Sequence, residues 1–200
     1  MDGRMQLNAA AFLQDWDNFQ FSRLDTSISP VTLTYNIGQA KSDGFEADFS
    51  VMLTETWSLT GAGSYIQAEL SQDYYASDGL AAPTAANGTQ LPRVPEVKWN
   101  LSTRYGFNTD WFVQASYIYT GSSYNNLFDG GSIPTRRYKQ EDYQILNASI
   151  GVDRDSWVAE MYVRNLTDER GEVFRNAVNW DERVMTNRPR TIGTRVSFKF

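Results

Sequence analysis

The sequence predicts an all-β protein, an antiparallel up-and-down transmembrane β-barrel segment of about eight strands that forms a curved open sheet or partial barrel. Three observations carry this prediction. Apolar and polar residues alternate with a period of two along most of the chain. Charged residues stay off the apolar stripes. The connections alternate between about three residues and roughly fifteen to twenty-five, whereas the loops of a soluble sandwich are mostly short at both ends. Tight turns at one end and long loops at the other belong to a membrane barrel, whose apolar side meets lipid and whose polar side meets a wet lumen.

The segments follow in order. Residues 5–21 read as a first strand, with Leu7, Ala9, Ala11 and Leu13 opposite Gln6, Asn8, Ala10 and Phe12, and the pattern fades at Asp15-Trp16-Asp17-Asn18. Residues 22–41 are a polar loop with Pro30 and a short extended run, 31–35, in which the next strand is already starting. Phe45, Ala47, Phe49, Val51 and Leu53 then oppose Gly44, Glu46, Asp48, Ser50 and Met52, and Thr54-Glu55-Thr56 turns the chain. Residues 57–70 form a strand, and 71–95, rich in Ala, Gly, Asp and Pro without periodicity, form a loop. Val97, Trp99, Leu101, Thr103, Tyr105 and Phe107 face away from Lys98, Asn100, Ser102 and Arg104. Asn108-Thr109-Asp110 is the second turn, and Trp111, Val113, Ala115, Tyr117 and Tyr119 make the next apolar face.

After a loop over 125–142, Leu146, Ala148, Ile150 and Val152 oppose Asn147, Ser149 and Gly151, with a turn at Arg154-Asp155-Ser156. Trp157, Ala159, Met161 and Val163 oppose Glu160, Tyr162 and Arg164. The last loop, 168–188, ends at Pro189, and residues 191–200 close the chain. There Ile192, Thr194, Val196, Phe198 and Phe200 share one face, and Thr191, Gly193, Arg195, Ser197 and Lys199 the other.

Alternation alone also fits a soluble sandwich. Two placements favour the membrane. Trp57, Trp111 and Trp157 each follow a tight turn, Phe107 precedes one, and Phe200 ends the last strand. Such rings form a girdle at the boundary between headgroups and hydrocarbon. Glu46, Asp48, Lys98, Arg104, Glu160, Arg164 and Arg195 all take the face opposite the apolar stripe, which makes them the candidate lumen residues. A lipid-facing Lys or Arg at mid-depth costs about 2–4 kcal/mol, enough to enforce that sorting.

Composition narrows the function. The 200 residues contain no Cys and no His, so a disulfide scaffold, a thiolate metal site and the commonest general base are all absent. A net charge of −6 without a basic run argues against nucleic acid as a partner. No window holds the roughly 18 apolar residues of a spanning helix, and the N-terminus has no apolar signal-peptide region, so the chain reads as a piece of a longer precursor or the product of a truncated reading frame.

The sharper site readings are weak. Glu46 and Asp48, about 7 Å apart on one face, have a spacing that a glycosidase pair would use, but solvated lumen carboxylates explain them as well. Lys98 and Arg104 suit either an anionic ligand path or a structural lumen network. Gly61-Ala62-Gly63 lacks the basic residue and helix start of a nucleotide loop, so it reads as close strand packing. Asp73 with Asp78, and Asp129 with Gly130, lack the oxygen pattern of a calcium loop. Tyr74, Tyr75, Tyr124, Asn125, Asn126, Phe128 and Tyr138 suit an extracellular binding surface and equally an ordinary solvated loop. No catalytic, cofactor or metal site is assigned.

Asn165-Leu166-Thr167-Asp168-Glu169-Arg170, then Arg188-Pro189-Arg190-Thr191-Ile192-Gly193 running to Phe200, resembles the C-terminal end of TonB-dependent receptors of the Gram-negative outer membrane. Leu91-Pro92-Arg93-Val94-Pro95 leading into Trp99-Asn100-Leu101, and Gly44-Phe45-Glu46-Ala47-Asp48, resemble earlier strand entries of the same family. The resemblance implies a barrel of about 22 strands around a plug, importing scarce ligands such as iron–siderophore complexes. In that architecture this chain supplies the last eight strands, without plug or signal peptide. Outer-membrane lipid is then its surroundings. The barrel-assembly machinery would read Phe200, although Arg195 stands where a glycine is usual, and TonB would act only through an N-terminal part. The alternative is a complete small eight-stranded outer-membrane barrel with a binding or adhesion role; an outer-membrane hydrolase is a third reading. As a piece of a larger barrel with two open edges, the isolated chain is expected not to function by itself.

Overall fold

The computed structural model describes residues 3–24, 32–77, 79–128, 136–176 and 182–199. In chain order its strands are β1 (Met5–Trp16), β2 (Gln20–Leu24), β3 (Thr32–Asn36), β4 (Ala40–Met52), β5 (Trp57–Leu70), β6 (Val97–Phe107) and β7 (Trp111–Thr120). They continue with β8 (Ser123–Tyr124), β9 (Lys139–Gln140), β10 (Tyr143–Asp153), β11 (Trp157–Arg164), β12 (Glu172–Asn176), β13 (Arg183–Thr186) and β14 (Thr191–Phe198). Eight of them form one antiparallel sheet in the order β1-β4-β5-β6-β7-β10-β11-β14, the meander expected. The sheet is open, with β1 and β14 at opposite edges.

Three differences from the sequence reading have local causes. The stretch 5–21 is two strands, because the chain turns at Asp17-Asn18, where Asn18 takes a left-handed φ of 55° that Asn tolerates. The long loops carry three small hairpins, β2–β3, β8–β9 and β12–β13, too short to show a period; the extended run read at 31–35 overlaps β3. β4 and β10 begin several residues before their clean alternation does, since their first residues stand above the apolar band.

Register carries each face across the sheet. Phe49, Gly61, Leu101, Tyr117 and Leu146 lie in one cross-strand row on the apolar face, and Ser50, Thr60, Ser102, Ser116 and Asn147 in the adjacent row on the polar face. Most apolar-face side chains are exposed, Leu7 to 62% and Ile192 to 71%, the inverse of a water-soluble sheet packed on a second layer. Glycine supports this packing where a ring crosses to the next strand. A Cβ on Gly61 would stand 2.5 Å from the Phe49 ring, and one on Gly151 would stand 2.6 Å from both the Phe112 ring and the Ala159 carbonyl oxygen. The Gly61-Ala62-Gly63 run is therefore a packing device.

The conventional hydrophobic core sits at the loop end. Ile37, Ala40, Ala68, Leu70, Tyr74, Ala85, Leu91, Leu127 and Phe128 are all buried together. Ala40, Ala68 and Leu70 stand at the loop ends of β4 and β5, and the remaining residues belong to the connections. The described parts of the first three long connections thus pack onto one another.

Candidate functional site

The apolar band is bounded by aromatic rings on both sides. At the turn end, Trp57, Tyr105, Phe107 and Trp111 form a continuous file, with successive centroids 6.2, 6.4 and 6.4 Å apart. The Trp57 indole N–H donates to the Thr103 hydroxyl at 2.8 Å, so its polar edge is satisfied on an otherwise apolar surface. Trp157 lies farther along the same border and pairs with Phe198. Phe200 lies outside the described residues. A second border, missed in the sequence, holds Tyr65, Trp99, Tyr117 and Tyr119; Trp99 stacks on Tyr117 at 5.0 Å and on Tyr119 at 6.0 Å. The Tyr117 hydroxyl donates to Gln144. Trp57 and Tyr65 are eight residues apart on β5, about 27 Å along the strand, which a barrel tilt reduces to about the height of an outer-membrane apolar band. The signal was legible: aromatics recur at both ends of the same stripe.

The polar face separates the seven candidate charges into two kinds. Arg195 pairs with Glu160 at 2.5 Å, directly across β11 and β14. Arg104 reaches Asp153 at 3.3 Å while its guanidinium lies 3.5 Å over the buried Phe112 ring, and Lys199 holds the other oxygen of Asp153 at 2.7 Å. Arg154 and Asp110 add a pair at 2.9 Å on adjoining turns. These groups tie the turn end of the sheet together. Asp48 accepts a hydrogen bond from Asn8 at 2.9 Å.

Glu46, Lys98 and Arg164 have no ion-pair partner among the described residues. Register places Glu46, Ser64 and Lys98 in one row, so the two charges stand two strands apart. They line a concave trough of about 530 Å³ together with Asn8, Asp48, Asn100 and Thr120. Arg164 lies by a smaller recess with Asn147, Glu160 and Arg195, its guanidinium 5.2 Å from the Tyr162 ring centroid.

The loop aromatics are mostly structural. Tyr74 and Phe128 are core residues, their centroids 5.9 Å apart. Arg137 covers Tyr124 at 3.3 Å, Arg175 covers Tyr138 at 4.9 Å, and Arg93 covers Phe174 at 4.6 Å. Asn125, buried, donates to the carbonyls of Arg136 and Arg175 and accepts from the Tyr138 N–H at 2.6 Å, joining two successive loops. Asn126 caps the Leu127 N–H at 2.9 Å. Tyr75 alone of this group stands largely exposed, at 47%. Of the acidic pairs weighed for calcium, Asp73 accepts from the Asn87 N–H; Asp78, Asp129 and Gly130 lie outside the described residues.

The Asn165-Leu166-Thr167-Asp168 stretch is a latch. Asn165, 3% exposed, donates to the carbonyls of Glu169 and Arg188, each at 2.9 Å, and accepts from the Glu169 N–H at 2.9 Å. Its own N–H donates to Asn147 on β10. Asp168 accepts the Arg190 N–H at 2.8 Å. That N–H, aided by the nearby Arg170 and Arg190 guanidinium groups, holds the Asp168 carboxyl below the ordinary carboxylate range. The two motifs, more than twenty residues apart in sequence, thus meet to deliver the chain into β14.

The family described as TonB dependent receptor-like, beta-barrel matches residues 1–166. The probable TonB-dependent siderophore receptor PiuA of Acinetobacter baumannii is 25% identical over 173 residues, covering 85% of this chain and 22% of the relative. The metal-pseudopaline receptor CntO of Pseudomonas aeruginosa is 29% identical over 191 residues, covering 84% of this chain and 25% of the relative. The crystal structure of PiuA superposes with a TM-score of 0.73 at 22% identity, covering 98% of this chain and 26% of that one. This chain therefore spans about a quarter of the length of the relatives it matches. Proteins of this kind are receptors of the Gram-negative outer membrane that work with TonB and a ligand. With its open eight-stranded meander, its apolar stripe bordered by rings and its latched last strand, the chain belongs to the TonB-dependent receptor-like β-barrel family.

Proposed function

We propose that these eight strands are the C-terminal wall of an outer-membrane receptor barrel that takes up scarce ligands such as iron–siderophore complexes, with the apolar face against lipid and the polar face toward the lumen. The observation that carries this reading is the sorting across the sheet: exposed apolar rows between two aromatic borders on one side, every candidate charge on the other. The relatives are by name a siderophore receptor and a metal-pseudopaline receptor, which supports a chelated metal as cargo. TonB acts, in this reading, through parts of the receptor other than these strands. Closure of the eight strands on themselves would require β1 to pair with β14, and they are opposite edges.

Within this wall, Glu46, Lys98 and Arg164 are the residues free to meet cargo or another part of the receptor. Arg104, Glu160 and Arg195 hold the wall together, and Asp48 is tied to Asn8. Arg195 stands where the family usually has glycine, and its pair with Glu160 gives it structural work; Phe200 is the aromatic that the assembly machinery reads. No catalytic role is proposed: the family is one of receptors, and the chain has neither His nor Cys.

The absence of native cysteine makes a direct test available. Asn100→Cys and Leu101→Cys place a thiol on opposite faces of β6. In intact outer membranes a water-soluble maleimide is expected to label Asn100→Cys and to leave Leu101→Cys unmodified, with a lipid-soluble quencher showing the reverse. Equal labelling of the two, or the opposite order, refutes the assignment of faces. Uptake of a radiolabelled ferric siderophore by cells carrying the receptor tests the cargo class.

A further inference from the structure

Where β5 to β7 mark the loop-side border of the apolar band with aromatic rings, the last strand marks it with arginines. Phe198 pairs with Trp157 at the turn-side border and Ile192 pairs with Val163. Arg190 is eight residues from Phe198, the same separation as Trp57 from Tyr65, and so stands at the height of the upper ring border. Arg170, Arg188 and Arg190 are all exposed there, beside the exposed apolar side chains of Leu166 and Ile192. In segments 165–170 and 187–191 three arginines, Arg170, Arg188 and Arg190, stand against two carboxylates, Asp168 and Glu169, in a chain whose overall charge is −6. Asp168 is already occupied by the Arg190 N–H at 2.8 Å and Arg170 at 3.3 Å, and Glu169 is half-buried. The Arg190 guanidinium uses one N–H on the Leu166 carbonyl at 3.4 Å, and the Arg188 side chain has no partner among the described residues. At the corresponding height on β4 and β5 the outward groups are Asp43, Gln67 and the Lys41–Glu69 pair, with no cationic excess.

We propose that Arg188 and Arg190, with Arg170 at the edge, form a binding site for the phosphate of an anionic lipid headgroup in the leaflet on the loop side, with Leu166 and Ile192 under its acyl chains. Guanidinium groups bind phosphate oxygens in paired hydrogen bonds, and a cationic cluster at headgroup height beside apolar side chains matches a lipid that is charged at one end and apolar at the other. The inference rests on the proposed lipid-facing side of the sheet.

The test is native mass spectrometry of the receptor extracted from outer membranes, titrated with bisphosphorylated lipid A, with its dephosphorylated form and with inorganic phosphate. The wild type is expected to hold the phosphorylated lipid about tenfold or more tightly than the dephosphorylated one, with binding weakened by salt. Arg188→Gln/Arg190→Gln, which keeps both main-chain contacts of the latch, is expected to bring the two lipids to the same weak binding, and Arg188→Lys/Arg190→Lys to recover most of the difference. Equal wild-type binding of the two lipids overturns the inference while leaving the lipid-facing surface intact; failure to bind either lipid overturns that surface as well. Binding of inorganic phosphate as tight as that of the phosphorylated lipid identifies a free-anion site and also overturns it. The salt dependence of the wild type decides the matter even where the glutamine variant does not assemble.

Discussion

Replacing Asn165 by alanine isolates what the latch contributes. The side chain makes three hydrogen bonds in a site that is 3% exposed. The two carbonyls that it satisfies, of Glu169 and Arg188, also accept from Asn187 at 3.0 and 3.1 Å, so each donated bond lost costs only about 0.5 kcal/mol. The Glu169 N–H has no second acceptor, and leaving it unsatisfied costs about 1–3 kcal/mol. Asn165 also sits at a φ of 52°, where alanine pays about 1 kcal/mol that asparagine and glycine largely avoid. The total is about 3–5 kcal/mol for Asn165→Ala and about 2–4 kcal/mol for Asn165→Gly. Because Arg188 to Arg190 lead directly into β14, the loss concentrates there. Hydrogen exchange of a peptide covering residues 187–194, measured on the membrane-inserted protein, is expected to speed up by about two to nearly four powers of ten in Asn165→Ala and by several-fold less in Asn165→Gly. A change under about twofold, or identical behaviour of the two variants, refutes the reasoning.

Other expectations follow from the same geometry. Gly151→Ala brings a Cβ to 2.6 Å from a main-chain oxygen that does not move independently, so it should destabilise by about 2 kcal/mol in urea unfolding, whereas Gly193→Ala meets the far end of Tyr162 and should lose less than about 1 kcal/mol, recovered by Tyr162→Leu. Leu127→Ala, at a fully buried position, should cost about 2–5 kcal/mol and loosen the loops while exchange in β4 to β7 stays slow. The Asp168 carboxyl titrates lower folded than unfolded, so its contribution is complete above the ordinary carboxylate range and vanishes as pH falls through the folded value. Exchange in β14 should therefore rise in acid below about pH 4, and Asp168→Asn should abolish that pH dependence. Lys98→Gln should change ligand uptake at unchanged stability, and Arg104→Gln should lower the unfolding midpoint, by no more than about 1 kcal/mol given the exposure of its pair with Asp153.

Most of the large sheet was legible because its period is enforced twice. Each strand must satisfy lipid on one side and water on the other, so Trp57 to Leu70 and Val97 to Phe107 have the predicted ends. Segments beyond the apolar band carry no such constraint. That is why the hairpins β2–β3 and β12–β13 showed no period, although the extended run 31–35 was read where β3 lies, and why the starts of β4 and β10, the first of them in the loop-end core at Ala40, were missed. The upper ring border was visible as Tyr65, Trp99 and Tyr119 but needed register to become a row. The roles of Asn125 and Asn165 were not visible in any local pattern, because their partners are carbonyls and amides brought close only by folding.

The same distinction orders the functional surface. In a soluble protein the aromatics and amides of long loops are the first candidates for ligand contact, yet here the loop end contains the molecule's buried core, and Tyr74, Phe128, Tyr124, Tyr138 and Asn125 are engaged in holding it. Among the described residues, charges without an ion-pair partner include Glu46 and Lys98 along the trough, Arg164 near its recess, and Arg188 beside the apolar band. A charge that a partner desolvates must be paired by that partner to avoid a net cost, so any group that covers one of these four positions is expected to bring the opposite charge.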